Sequence, residues 1–273
     1  SSGWAYDHKV YFHAKFSRPF QVDSIVVDAQ PSDKIKAVYK GQNIYSRLSF
    51  PTLSADEPLL LKVGISAVDE KGAQTNLEKE LPHWDFETVV SQTQEKWEKE
   101  LNRIQVWTRD EAVLTTFYTS LYHSMIAPAL HQDVDGRYRG MDKKIHQSKN
   151  GSINYTVYSL WDTFRALHPL MTIIDEPKSI DYANNLILKY KEGGLLPMWP
   201  LASNYTGTMV GYPAVANLAD ALSKKLPGID QQLALEAALT SASYRPELLK
   251  KTDEPRKKNV MPLYNKYINE GRH

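Results

Sequence analysis

"LLLKVGISAVDEKGAQTNLEKELPHWDFETVVSQTQEKWEKEL", residues 59–101, changes character partway along, and that change decides the fold. Its first ten residues are a short apolar run of the kind that forms a strand. From Asp69 the chain turns charged, and after Pro82 the residues Phe86, Val89, Val90, Thr93, Trp97 and Leu101 recur at helical spacing. Glu95, Glu98 and Lys99 supply the solvated face of that helix. The stretch reads as a strand followed by a linker helix, which puts sheet on its N-terminal side and helices on its C-terminal side.

Towards the N-terminus, "KVYFHAKF" (9–16) alternates Val10, Phe12, Ala14 and Phe16 against Lys9, Tyr11, His13 and Lys15, and "DSIVVDA" (23–29) follows. Turn chemistry separates the runs at Gln30-Pro31-Ser32-Asp33 and at Lys40-Gly41-Gln42-Asn43. The spacing suits an antiparallel β-sandwich better than βαβ units. Towards the C-terminus, helices dominate from Glu111. "DEAVLTTFYTSLYHSMIAPALHQ" (110–132) carries Val113, Phe117, Leu121 and Met125 on one stripe and stops near Pro128. "NYTVYSLWDTFRALHPLMTII" (154–174) reads as one helix, and "DEPKSIDYANNLILKYKEGG" (175–194) as another that ends at its glycine pair. "MVGYPAVANLADALSKKLPG" (209–228) and "IDQQLALEAALTSASYRPELLKK" (229–251) supply two more. Five helices without an intervening strand, and without a fixed-period repeat, suit antiparallel pairs closed into a toroid.

At 273 residues the chain is long enough for two domains. Lysine plus arginine number 33 against 32 for aspartate plus glutamate, so the bulk charge points to neither nucleic acid nor a membrane surface. Cysteine is absent, which excludes disulfides, thiolate metal sites and a cysteine nucleophile. No stretch approaches the roughly 20 apolar residues of a bilayer span. The opening "SSGWAYDHKVYF" lacks the pattern of a signal peptide, and a mature periplasmic or secreted protein has the same look. Sixteen tyrosines and six tryptophans suit flat apolar ligands such as sugar rings, although cores also consume aromatics.

The candidate site lies in residues 154–174. A 3.6-residue period puts Val157, Leu160, Phe164, Leu167 and Met171 on one stripe and Tyr158, Trp161, Asp162, Arg165 and His168 on its neighbour. Asp162 and Arg165 stand three apart, close enough to pair. A surface ion pair beside a core Trp161 accounts for these residues; so does a sugar-contact site, with Asp162 accepting from ring hydroxyls beside an aromatic face. The long connection "GGLLPMWPLASNYTGTMVGYPA" adds Trp199, which Pro197 and Pro200 keep out of a regular helix, and Asn204, Tyr205 and Thr206 as further hydrogen-bonding groups or turn formers. "HQDVDGRYRGMD" (131–142) is not an EF-hand, because Lys144 stands where the closing glutamate belongs. Arg137, Arg139 and Asp142 there line a pocket mouth or form ordinary loop ion pairs. Asn150, Asn154 and Asn204 head glycosylation sequons. Nucleotide-binding glycine loops, HExxH and GxSxG are absent.

Taken in order, "VYFHAKFSRPF", "LLLKVGISAVDEKGAQTNLEKELPHWDF", "FYTSLYHSMIAPALHQDVDGRYRGMD", "YTVYSLWDTFRALHPLMTIID" and "GGLLPMWPLASNYTGTMVGYPAVANLADAL" resemble consecutive blocks of glycoside hydrolase family 92. The resemblance implies an exo-acting, calcium-dependent, inverting α-mannosidase with an N-terminal β-sandwich packed on an (α/α)6 toroid. On that reading the chain is multidomain, α and β. Residues 1–82 are the C-terminal part of the sandwich, 83–107 the linker helix, and 108–273 the first helices of the toroid. The resemblance also implies that no catalytic residue lies in this chain. The general acid glutamate, the general base aspartate and the ligands of Ca2+ are expected beyond His273, in the remainder of the same mannosidase chain. What carries over is sugar contact: Asp162 to the hydroxyls of a terminal mannose, Trp199 beside that sugar, Arg165 orienting Asp162, and Trp161 adjoining them. Tyr205 and Pro213 depart from the blocks, which leaves the aglycone preference open. A mannose-containing glycan is the expected ligand, α-1,2 the expected linkage, and the periplasm or the exterior the expected location. A non-catalytic carbohydrate-binding module is the alternative, and a purely structural helical scaffold the third reading.

Overall fold

A computed structural model describes residues 5, 7–32, 38–52, 54, 57–149, 151–206 and 208–243. Strand β1 (Tyr11–Phe16) pairs antiparallel with β5 (Leu61–Ser66), setting Phe12 opposite Ile65 and Ala14 opposite Val63. A separate three-stranded sheet has the order β3-β2-β4, from β2 (Gln21–Val27), β3 (Gln30–Ser32) and β4 (Ile44–Ser49). The turn expected at residues 30–33 comes earlier. Asp28 and Ala29, with φ of 49° and 67°, make a two-residue turn between β2 and β3 whose twist matches the flanking strands. Asp33 lies outside the described residues.

The charged stretch after Asp69 does not wait for Pro82 to become helical. Helix α1 (Glu70–Glu80) starts at once, capped by Asp69, whose Oδ1 accepts from the Gly72 amide at 2.6 Å. Its Ala73 and Leu77 are buried, and it packs on the β1–β5 pair. The polar face of that pair is the one covered: Lys15 Nζ reaches Glu78 at 2.9 Å and Lys62 Nζ reaches the Leu81 carbonyl at 2.7 Å. The apolar face is open, with Phe12 68% and Ile65 64% exposed beside Val10, Leu61 and Val63.

The linker helix forms as its spacing requires, as α2 (Phe86–Leu101) capped by Asp85, and α3 (Glu111–Ile126) follows with Asp110 as its cap. Beyond them the expected strand-free run of helices is interrupted. Short strands β6 (Ala129–Leu130) and β9 (Tyr155–Thr156) pair, as do β7 (Arg137–Arg139) and β8 (Ile145–Gln147). Residues 154–174 are therefore not one helix. They are β9, then α4 (Leu160–Thr163), then α5 (Leu167–Ile174). Two causes combine. The backbone of residues 155–157 is taken by other strands, and Pro169 lacks an N–H and would clash with the Arg165 carbonyl in a continuous helix.

Helix α6 (Glu176–Gly193) ends at Gly194, whose φ of 93° is the left-handed cap its glycines announce. The hairpin β10 (Pro200–Leu201) and β11 (Asn204–Tyr205) leads to α7 (Pro213–Ser223) and α8 (Gln231–Ser243). The extension of the last helix towards Lys251 lies outside the described residues. One apolar cluster joins these parts: Tyr158 and Leu160 meet Tyr182, Leu186 and Ile187 of α6, Leu218 of α7 and Ala237 of α8.

Two polar clasps tie the sheet-and-α1 unit to the helical part. Buried Asp133 accepts from Ser66 Oγ at 2.8 Å and from Asn76 Nδ2 at 2.9 Å. Arg137 bridges Asp135, at 2.8 Å, and Asp69.

Candidate functional site

Helix α4 is one turn long because the chain is bent on both sides of it. Val157 sits at φ 61°, a region where a β-branched residue is strained by about 1–3 kcal/mol and stays only if its surroundings impose it. Here the Val157 amide is held by the Pro200 carbonyl at 3.1 Å. Tyr158 is then driven fully inside, where its hydroxyl donates to Asn185 Oδ1 at 2.9 Å and its ring meets Tyr182 and His168. The expected polar face of residues 154–174 thus splits. Tyr158 and His168 are core residues, whereas Trp161, Asp162 and Arg165 are exposed.

Asp162 and Trp199 are brought together through Ser159, which lies forty positions before Trp199. Asp162 Oδ2 lies 2.5 Å from Ser159 Oγ, and Trp199 Nε1 lies 2.7 Å from the same oxygen. Trp199 is half-buried and enters from the connection before β10, where Thr206 Oγ1 donates to its carbonyl at 2.8 Å. Arg165 is not the group on Asp162. Its guanidinium lies over the Phe164 ring, 5.1 Å from the centroid, so the hydroxyl of Ser159 holds the carboxylate where an arginine was expected. Trp161, Phe164 and Arg165 instead line a cleft of about 310 Å³ closed on its other side by Val210, Gly211 and Tyr212.

A buried polar row runs along α6. Asn185 Nδ2 donates to Asn154 Oδ1 at 2.9 Å, and Lys189 Nζ donates to the same oxygen at 3.1 Å. Glu192 accepts from the Tyr138 hydroxyl at 2.8 Å and from the Met141 amide at 3.0 Å. Burial holds the Lys189 ammonium down to about 8 and the His168 imidazole down to about 4, and raises the Tyr158 phenol. Sequence reading missed this row because Asn185, Lys189 and Glu192, spaced along one face, look like solvated residues. It missed Ser159 because a serine ahead of a helix looks like a cap.

Several expected contacts belong to structure. Asn204 is fully buried and bonds the carbonyls of Leu201 and Ala202, and the Tyr205 hydroxyl donates to the Leu195 carbonyl. Both brace the loop that carries Trp199. Arg139 bonds the Ala67 and Lys143 carbonyls and Asp142 lies 2.9 Å from His146, so loop pairing accounts for those two, whereas Arg137, besides its ion pairs, lines a cavity of about 390 Å³ with Asp133 and Tyr138. The side chains of Asn154 and Asn204 are buried and bonded, which closes two of the three sequons in the folded chain; Asn150 lies outside the described residues. Among the described residues no three histidine or carboxylate groups converge to hold a metal ion. The acidic loop 131–142 does not fit calcium either: Ser66 and Asn76 occupy Asp133, and Arg137 occupies Asp69 and Asp135. No helix among the described residues is long and apolar enough to cross a membrane.

The structure is similar to that of the family GH92 α-mannosidase BT3965 of Bacteroides thetaiotaomicron, with a TM-score of 0.80 and 38% identity over 88% of this chain and 33% of that one. That enzyme has also been solved in complex with mannoimidazole. The GH92 inverting mannosidase BT2199 of the same organism gives a TM-score of 0.71 at 26% identity, over 85% of this chain and 31% of that one. A protein of Arthroderma benhamiae described as an uncharacterized secreted glycosidase is 29% identical over 190 residues, 68% of this chain and 20% of its own length. The chain spans about a third of the length of these mannosidases and a fifth of the fungal protein. Residues 72–272 match the glycosyl hydrolase family 92 catalytic domain. With that match over most of its length, and a backbone shared with α-mannosidases, this chain belongs to glycosyl hydrolase family 92.

Proposed function

We propose that this chain is the sugar-contacting part of an exo-acting, inverting α-mannosidase that releases terminal mannose from glycans, with α-1,2 linkages its substrate. The observation that carries the reading is the exposed Asp162 carboxylate held beside the Trp199 indole. A carboxylate that accepts from two vicinal hydroxyls next to an aromatic face is how proteins grip a pyranose. An inverting hydrolysis needs an acid and a base roughly 6.5–9.5 Å apart, with water between them. We place both, with the calcium ligands, in the remainder of the same polypeptide, and route no step through this chain beyond binding and orienting the sugar.

The open apolar face of β1 and β5 supports this placement, since an apolar sheet face is stable only when covered. We read it as the inner face of a β-sandwich spanning residues 1–82, with 83–107 linking it to toroid helices in 108–273. Glycans meet such enzymes outside the cytoplasm, so the periplasm or the exterior is the location we propose, in keeping with the secreted description of the fungal relative.

The test is hydrolysis of α-1,2-mannobiose by the full-length protein, followed by NMR with calcium and then with a chelator. Release of β-mannose only with calcium is the expected result. Asp162→Ala should lower kcat/KM roughly 10–100-fold, the worth of a hydrogen bond to a charged group, without changing the melting temperature. Wild-type turnover in that variant sinks the site assignment. Mannose binding with no turnover in the full-length protein favours the carbohydrate-binding module instead.

A further inference from the structure

We propose that Ser159 is a positioning residue of the sugar site, locking the Asp162 carboxylate and the Trp199 indole into one unit through its hydroxyl. The inference rests on the mannose-contact reading of those two residues. Its first support is the direction of the protons. An indole N–H can only donate, so at 2.7 Å from Trp199 Nε1 the Ser159 oxygen is an acceptor. The single Ser159 proton is then free for Asp162 Oδ2, at the 2.5 Å typical of a hydroxyl bonded to a carboxylate. The chain Trp199 to Ser159 to Asp162 has one possible polarity, with Asp162 Oδ2 as its final acceptor.

The second support is what Ser159 does not do. It occupies the N-cap of α4, where a serine normally accepts from a backbone amide of the first turn, yet its side chain makes no such bond. A structural serine would cap the helix. This one leaves the cap unmade and spends both hydroxyl functions on the two residues of the site, one of them contributed from forty positions away. The consequence is geometric. Oδ2 of Asp162 is tied to the Ser159 oxygen, and the indole N–H of Trp199 is tied to the same atom. The two groups that meet the sugar therefore hold a fixed distance and angle without help from the ligand.

The experiment uses the full-length protein with Ser159→Ala, Asp162→Ala and the double variant, read by kcat/KM on α-1,2-mannobiose and by calorimetric binding of mannoimidazole. Ser159→Ala should lose roughly 10–100-fold in both, the cost of a small misplacement at a binding group. The double variant should lose clearly less than the two single losses multiplied together, because Ser159 acts in part through that carboxylate. A residue that merely supports the fold would give additive losses, and additivity overturns the proposal. So does wild-type affinity in Ser159→Ala when Asp162→Ala is impaired. If Asp162→Ala itself binds like wild type, the mannose-contact reading fails first and is identified as the cause. Should Ser159→Ala fold poorly, the near-isosteric pair Ser159→Thr and Ser159→Val separates the roles: the hydroxyl of threonine rescues binding and valine does not, whereas equal behaviour of the two excludes the hydroxyl.

Discussion

Lys189 shows what one side chain costs when it is fully enclosed. Its ammonium is buried on α6 and bonds the amide oxygen of Asn154, an oxygen already shared with Asn185. Desolvation is the main cause of its lowered proton affinity, with Glu192 opposing it, and brings the group from 10.5 to about 8. Between pH 8 and 10.5 the unfolded chain therefore binds more protons than the folded one, so stability rises with pH across that window. Below pH 8 the penalty is complete. Urea titrations should show wild type gaining on Lys189→Met by about 2 kcal/mol as pH goes from 8 to 10. Lys143 is lowered to about 8 by burial as well, so the variant should retain part of the slope. A pH-independent difference between the two proteins would show that Lys189 is solvated in solution.

The elements carry their own sign test in α1. Glycine inside a helix ordinarily costs about 0.5–1 kcal/mol relative to alanine, so Gly72→Ala would be expected to stabilise. Here a Cβ at position 72 would run into Asp133 Oδ2 and stand 2.8 Å from Ser66 Oγ. Both atoms belong to the buried clasp that also includes Asn76, and neither can swing away without losing its bond. Gly72→Ala should therefore destabilise, by about 1–3 kcal/mol, and thermal unfolding checks the sign. A raised melting temperature would mean that the clasp is loose. The same element explains why the charged stretch after Asp69 was hard to place. Its hydrophobic set is only Ala73 and Leu77, too sparse to show a period, and the sheet beneath it supplies the packing.

At the scale of the molecule, the open face of the β1–β5 pair departs from an ordinary folded surface. Val10, Phe12, Leu61, Val63 and Ile65 form one exposed apolar strip, and such strips mark surfaces that something else covers. A polypeptide of these 273 residues should bind the dye ANS and self-associate. Phe12→Lys or Val63→Lys should reduce both without loss of helix signal. In the full-length protein the same substitutions should lower the melting temperature, because the charge would then be buried unpaired. Dye binding unchanged by either lysine would place the exposed apolar surface elsewhere.

Local chemistry was enough to place β1, β2, β5, α2, α3, α6 and α7, because each announces itself within its own residues by alternation, helical period, a cap or a glycine stop. The ordered blocks around Asp162 and Trp199 were enough for the family, since that information lies in residue identity. The break-up of residues 154–174 was another matter. Its 3.6-residue period is real, but Val157 is bonded to Pro200 and Thr156 to Ala202, both more than forty positions away. No local window contains that competition. Tertiary structure likewise decided that Tyr158 and His168 lie inside while Asp162 lies outside, that Ser159 rather than Arg165 holds Asp162, and that the polar row of α6 is buried and not surface. Period and propensity report which faces a segment has; only the distant partners of those faces determine which one is buried.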